Sequence, residues 1–476
     1  MNRSRLLRLQ NIAWYLLVAS LPLTSMPLIR NLLGSHSVAS PAIIFLLVLA
    51  VIWMARFFLK DELAVSVKIL PLALFCIAAI IASIISFFYI PPLFKGFGQL
   101  NPMISAIASL GIGFLFFLMS SSIPLAPDVK MRTLRIINWT GLIILIWCGF
   151  QAAAWYCTNH YPQWMFNIQG ILSARVLYRQ RVTGFALEPS WLAHQLNMLY
   201  LPFWISATVT GFSSHTFRFR KISFENILLV GGTAALVLTL SRVGFAAFLC
   251  MAAFAFIQVH PKLISAIQIQ LTRKSGNLAG KNRKLISMLL ILFYAAVAGI
   301  FILVSYQVDP RMASLFKINL VQDNPVLRYF NQLKFGDRVV YWLTGWNIFN
   351  RYPIIGVGLG NSGFYFPQNM PAYGWSLLEV RRLIYRSHVL LNIKSLWFRL
   401  LAETGIIGFS LFVGWIISLI SSLIEKYRSA NLMEKSLGFA GLLVVLGLVF
   451  EGLSIDSFAM PYWWISMGIA VASYKK

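Results

Sequence analysis

Apolar runs of about 18 residues or more recur along the whole chain, separated by short polar or basic stretches. A helical run of that length matches the hydrocarbon thickness of a bilayer. The pattern predicts spans near residues 11–29, 41–59, 67–90, 103–125, 135–157, 189–210, 225–241, 243–259, 285–306, 401–424, 436–454 and 457–474. The expected fold class is therefore an all-α polytopic membrane protein with about twelve transmembrane helices. The first span follows Arg3, Arg5 and Arg8 as a signal peptide would. Its apolar run is too long and lacks a small-residue cleavage site, so it is expected to be retained.

Two segments break the rhythm of short loops. One is residues 158–188. The other is residues 307–400, rich in Arg, Tyr, Trp, Gly and Pro, with helical patterns around Arg338–Asn350 and Leu377–Tyr385. A structureless loop that long is improbable, so it is expected to fold over one membrane face. The expected organisation is thus 1–306 with nine spans, 307–400 as a large loop, and 401–476 with three spans. The stretch 260–284 reads as a solvated basic connector.

Composition fits this picture, with 59% apolar and 11% charged residues among 476. The charges then orient it. With the N-terminus inside, the inner loops carry Lys60, Lys130, Arg132, Arg135, Arg218, Arg220, Lys221, Lys262, Arg273 and Lys274, and further lysines follow towards Lys476. The short outer loops hold little beyond Arg30 and Lys95. Positive loops stay inside, so both termini are expected inside and the two long segments outside. The net charge of +26 then reports topology and anionic lipid contact, and no soluble basic domain exists to bind nucleic acid. Cys76, Cys148, Cys157 and Cys250 lie in or beside apolar runs without paired spacing and read as inert buried thiols. No metal-ligand spacing exists, so neither metal nor cofactor is expected.

The candidate chemistry lies at the outer ends of the spans. Arg181 and Glu188 close a polar segment just before the 189–210 run, and Arg242 sits between two runs with almost no loop to spare. Ionisable groups at that depth are costly unless they meet each other, a cavity or a ligand. Two arginines at one level could clamp a diphosphate whose lipid tail stays in the bilayer, because the guanidinium fork matches phosphate oxygens. The plainer alternatives are snorkelling arginines and a Glu188 that only neutralises or orients Arg181. The long loop adds Arg311, Arg328, Arg338, Arg351, Arg381, Arg382 and Arg386 against Asp309, Asp323, Asp337 and Glu379. This excess suits an anionic amphiphile, or equally lipid headgroups. Gly358–Gly363 matches a dinucleotide-binding GxGxxG, but no strand is expected before it, so a glycine-rich turn is the better reading.

Four elements together carry a resemblance: Arg181–Ala193 (RVTGFALEPSWLA), Leu240–Arg242 (LSR), Arg338–Gly360 (RVVYWLTGWNIFNRYPIIGVGLG) and Leu396–Gly408 (LWFRLLAETGIIG). In order, spacing and location they resemble the O-antigen ligase and O-antigen polymerase (Wzy) superfamily of bacterial envelope glycan assembly, over most of residues 180–410. The resemblance implies a GT-C-like arrangement with a large, partly helical periplasmic loop in the inner membrane. It implies a metal-independent, inverting transfer of glycan from an undecaprenyl diphosphate donor, with a flippase and a chain-length regulator as possible partners. Arg181 and Arg242 fall on the positions that hold the donor diphosphate in the family. Arg338, Arg382, Arg386, Lys394 and Glu403 are candidate substrate-binding residues.

The ligases place a histidine nine residues before the glutamate of the ETG element. Here that position is Lys394, and His388 lies six residues too early. The departure favours a polymerase over a ligase and leaves the general base open. Glu188 is the first choice, because Pro189 starts a helix directly after it. Glu403 is a weaker one, and Gly405 and Gly408 read as close helix packing. A lipid-linked oligosaccharide flippase and a non-catalytic assembly protein are the competing classes. A flippase is expected to carry charge along its central spans, which are nearly charge-free here.

Overall fold

The computed structural model describes residues 3–33, 41–59, 65–89, 91–220, 222–275, 283–308 and 336–472. The chain is an all-α polytopic membrane protein, and among the described residues the one sheet is a short hairpin pairing Arg218–Phe219 with Ile222–Ser223. The helices are α1 (Arg3–Ser20), α2 (Pro27–Leu33), α3 (Pro41–Phe58), α4 (Ile69–Ser86), α5 (Leu100–Ser122), α6 (Pro127–Thr158), α7 (Gln163–Leu172), α8 (Pro189–Gln195) and α9 (Leu201–Thr210). They continue with α10 (Phe224–Thr239), α11 (Arg242–Ser275), α12 (Arg283–Val308), α13 (Gly336–Arg351), α14 (Ser362–Asn369), α15 (Leu378–Tyr385), α16 (Leu396–Tyr427), α17 (Leu432–Glu451) and α18 (Pro461–Val471).

Among the described residues, eight helices are long and apolar enough to cross a membrane: α3, α4, α5, α6, α11, α12, α16 and α17. The other four expected spans take different forms. The first run becomes α1, displaced towards the basic N-terminal residues. The 225–241 run becomes the 16-residue α10. The last run forms only α18, 11 residues long and buried on every side. An all-round apolar sequence suits such a core helix. Its paired tryptophans, Trp463 and Trp464, stack at 3.7 Å inside the bundle.

The 189–210 run breaks into α8, a π-helical turn at Leu196–Tyr200, and α9. Pro202 explains the break. It has no N–H to donate and its ring clashes with a carbonyl four residues back, so the ladder upstream widens and the Leu201 N–H bonds Leu196 O instead.

Two compact units divide the chain: Met1–Ala247 with Asp337–Lys476, and Phe248–Gly336. In the second unit, α11 continues as helix to Ser275, where a connector from residue 260 was expected. The basic residues there are good helix formers, and charge alone does not end a helix. Its packing on α12 includes Phe256 stacked on Tyr294 at 4.7 Å and His260 Nε2 at 2.9 Å from Ser287 Oγ. Part of the expected 307–400 loop, residues 309–335 with Asp309, Arg311, Asp323 and Arg328, lies outside the described residues.

In the first unit the helix ends sort into two sets. Lys130 Nζ meets Glu434 Oε1 at 2.6 Å, and Lys426 Nζ donates to Ala472 O at 2.7 Å, joining the ends of α6, α16, α17 and α18. The opposite ends of α1, α6, α10 and α17 gather around the candidate site. This sorting is what alternating spans require. The cysteines are all free, but only Cys148 is buried as expected; Cys76 and Cys250 are half-buried, and Cys157, in the last turn of α6, is exposed. It is therefore a native reporter. In cells with a permeabilised outer barrier, Cys157 should react with a membrane-impermeant thiol reagent. In a Cys157→Ser background, cysteines introduced near Arg175 and Ala372 should also react, and one near Gly276 should not. Labelling at Gly276 alone would invert the expected topology.

Candidate functional site

Arg181 sits in a strap, residues 181–188, that connects α7 to α8 and is almost wholly buried. Gln151 of α6 holds it: its Oε1 accepts the Thr183 and Gly184 N–H groups at 2.9 and 3.0 Å, and its Nε2 donates to Gly184 O at 3.1 Å. Thr24 Oγ1 accepts the Leu187 N–H at 2.8 Å. The strap in turn docks on the end of α10. The Val182 N–H bonds Leu238 O at 3.0 Å, and Arg181 Nε donates to Thr239 O at 2.8 Å.

The turn from α10 to α11 is only two residues long. Leu240 takes a left-handed conformation at φ 50°, and Ser241 Oγ accepts the Gly244 N–H at 3.3 Å. Arg242 is then the first residue of α11. Arg181 is thus anchored three residues before Arg242, so the structure brings the two expected clamp arginines to one corner.

Glu188 precedes Pro189 at the start of α8, in extended conformation. Its carboxylate forms a salt bridge with Arg175, and Ser190 Oγ donates to it at 3.5 Å. Arg175 Nη1 also donates to the Tyr178 hydroxyl at 2.9 Å. Burial alone would lower the Arg175 pKa, but Tyr178 and Glu188 outweigh it and hold the guanidinium above its ordinary value. Both partners keep solvent access, with side chains 51% and 32% exposed.

A second cluster forms around Lys394. Its Nζ bonds Glu379 Oε1 at 2.5 Å and lies over the Tyr341 ring at 4.5 Å. The Tyr341 hydroxyl donates to the same Glu379 oxygen at 3.2 Å. Burial raises the Glu379 pKa, but Lys394, Tyr341 and Arg338 overcome this and hold it below the usual carboxylate range. Arg338 Nη1 donates to Lys394 O at 3.4 Å and Ser454 O at 3.2 Å, so the structure gives it a bracing contact. Arg382 and Arg386, on or just beyond α15, are exposed, and their side chains have no partner among the described residues. His388 is exposed as well, with no side-chain partner among those residues.

Glu403 is buried in a third place. It accepts from Ser362 Oγ at 2.8 Å and from Arg399 Nε at 2.9 Å, while Arg399 Nη1 donates to Asp456 O at 2.6 Å. A carboxylate so fully engaged anchors the Gly356–Asn361 turn against α16. Helix α13, not a strand, precedes that turn. Gly405 departs from the helix-packing expectation. It breaks α16 at φ 60°, ψ −165°, and the freed Ile406 and Ile407 N–H groups bond Pro353 O and Ile354 O at 2.8 and 3.3 Å. A Cβ there would lie 2.3 Å from Ile354 O. Gly408 likewise crowds Thr404 of its own helix, not a neighbouring one. Gly405→Ala should therefore cost more than about 1–3 kcal/mol, the strain of the left-handed conformation alone. Thermal unfolding in detergent would show this as a lowered midpoint.

The structure also adds residues that the sequence reading missed. His194 of α8, Asn197 of the π turn and Glu451 at the end of α17 meet in the interior, and Arg399 backs Glu403. A glutamate closing an apolar run and a histidine inside another were the available signals. No cluster of His, Cys, Asp or Glu suited to a metal occurs among the described residues.

Residues 227–413 match the family model described as O-antigen ligase. The match is consistent with the O-antigen ligase and polymerase superfamily, a glycosyltransferase-like enzyme family. The match includes Arg242, Arg338, Lys394 and Glu403 but not Arg181 or Glu188. No curated protein matches the chain.

Proposed function

We propose that the protein is a polysaccharide polymerase of the inner membrane. It transfers a glycan from undecaprenyl diphosphate to the end of a lipid-linked acceptor repeat unit, at a site facing the periplasm. The observation carrying the choice of polymerase over ligase is Lys394. It stands where the ligases carry histidine, and its ammonium is committed to Glu379 and the Tyr341 ring. A paired ammonium has no lone pair with which to accept a proton. His388 is a poor replacement for the missing imidazole, since it lies off the family spacing and is exposed beyond the end of α15.

In this reading, cleavage of the anomeric carbon–oxygen bond leaves charge on the diphosphate. Arg181 and Arg242 stabilise that charge more in the transition state than in the ground state. The acceptor hydroxyl attacks in line from the opposite side and gives its proton to Glu188. Arg382 and Arg386, exposed on the same loop, offer guanidinium groups to phosphate or acidic sugar along the approach.

The test uses purified protein and one lipid-linked repeat unit as both donor and acceptor. A ladder of lengthening lipid-linked chains is the expected product. Transfer only to a second, non-polyprenyl acceptor would instead establish a ligase. Translocation across a vesicle bilayer without new glycosidic bonds would establish a flippase.

A further inference from the structure

Three interior polar side chains that this chemistry does not use meet two residues beyond Arg242. Asn197, His194 and Glu451 are 0%, 1% and 2% exposed. Asn197 Nδ2 donates to both Gly244 O at 2.9 Å and Glu451 Oε1 at 2.7 Å. His194 Nδ1 lies 3.4 Å from the other Glu451 oxygen. One amide thus spends both hydrogens joining the first turn of α11 to the last residue of α17.

The local geometry is built for this contact. The π turn caused by Pro202 carries Asn197, and Gly244 lets the helices touch. A Cβ on Gly244 would fall 2.8 Å from Ala193 Cβ. A buried carboxylate contributes poorly to stability compared with a well-packed apolar residue, so its presence points to position. The position concerned is the corner at 238–244. On one side the strap holds it through Val182 to Leu238 O and Arg181 to Thr239 O, and on the other Asn197 holds it through Gly244 O. The residues after Glu451 extend the same brace outward: Ser454 O takes Arg338, and Leu453 O takes the Trp342 indole N–H at 3.0 Å.

We infer that Asn197 and Glu451, with His194 beside them, are positioning residues that set where Arg242 stands relative to Arg181. The inference rests on the diphosphate-clamp reading above. Neither residue touches the substrate. Their effect is on the placement of a charge that matters most as the leaving group departs, so it should appear in kcat rather than KM.

Asn197→Ala should lower kcat about tenfold to a hundredfold, the penalty typical of a small misplacement, with KM for the lipid-linked repeat unit little changed. In an Arg242→Ala background the same substitution should cost almost nothing more, because the residue acts through Arg242. Hydrogen exchange should quicken in the 238–247 segment while the body of α10 stays protected. If Asn197→Ala does not fold, Glu451→Leu is the second variant, and Glu451→Gln should rescue it, since a glutamine oxygen still accepts from Asn197. Wild-type kcat in Asn197→Ala, or an equal slowing in the presence and absence of Arg242, would overturn the brace. Arg242→Ala with full activity would instead sink the clamp reading, leaving the local exchange measurement to decide the brace alone.

Discussion

Arg242→Ala should abolish polymer and leave single lipid-linked repeat units to accumulate, and Arg181→Ala should do the same. In the proposed clamp, each substitution removes a charge-assisted contact to the leaving diphosphate. Such a contact is worth about 1.5–3 kcal/mol, or roughly tenfold or more in rate per arginine. Lysine should rescue poorly at either site, because a point charge cannot reproduce the two-pronged guanidinium contact. Arg181 has a further duty here, since its Nε holds Thr239 O and ties the strap to the corner. Arg181→Lys should therefore disturb the corner as well as the charge, and be the weaker of the two lysine rescues. Extracts of cells carrying each variant, separated by glycan length and normalised to protein in the membrane, would show the outcome. Normal polymer from a well-expressed Arg242→Ala protein would reject the clamp.

Glu188→Gln should be severely impaired, by about 10²–10⁴-fold if the carboxylate takes the acceptor proton. The substitution keeps the shape and the contact with Ser190 and removes only the basic oxygen. The structure adds a control, because Glu188 pairs with Arg175. Exposed ion pairs contribute about 0–1 kcal/mol, so Arg175→Ala should leave folding intact and retain most transfer. If Arg175→Ala were as damaging as Glu188→Gln, the pair would be a structural latch and not a base with a neighbour. His388→Ala should retain most activity, since His388 stands away from both arginines in sequence and is exposed. Loss of transfer in His388→Ala with Glu188→Gln unaffected would overturn the base assignment and the preference for a polymerase together.

Much of this site was legible along the chain. The patterns at Arg338–Asn350 and Leu377–Tyr385 became α13 and α15 almost residue for residue, because amphipathic periodicity is a local property. The tight turn that brings Arg242 to the end of two runs could be read from the absence of any loop between them. The start of α8 was equally plain from Glu188-Pro189. The shortfalls have a common cause. Pro202 opened a π turn inside the 189–210 run, α18 was too short to span although its run was not, and Cys157 faced outward in the last turn of α6. In each case the backbone's response to its neighbours mattered, and composition does not carry that information.

The sequence by itself determined the membrane class, the positions of the long helices, the gathering of arginine at one set of helix ends and the lysine at position 394. These follow from hydropathy, charge and spacing, which act over a few turns of one helix. Only the tertiary structure decided the partners. It gave Glu188 to Arg175 and Lys394 to Glu379. It also brought His194, Asn197 and Glu451, up to 257 positions apart (451 − 194), into one interior contact. A charge inside a low-dielectric bundle must find a partner, but which partner depends on how the helices cross, and that is set by the packing of the whole chain.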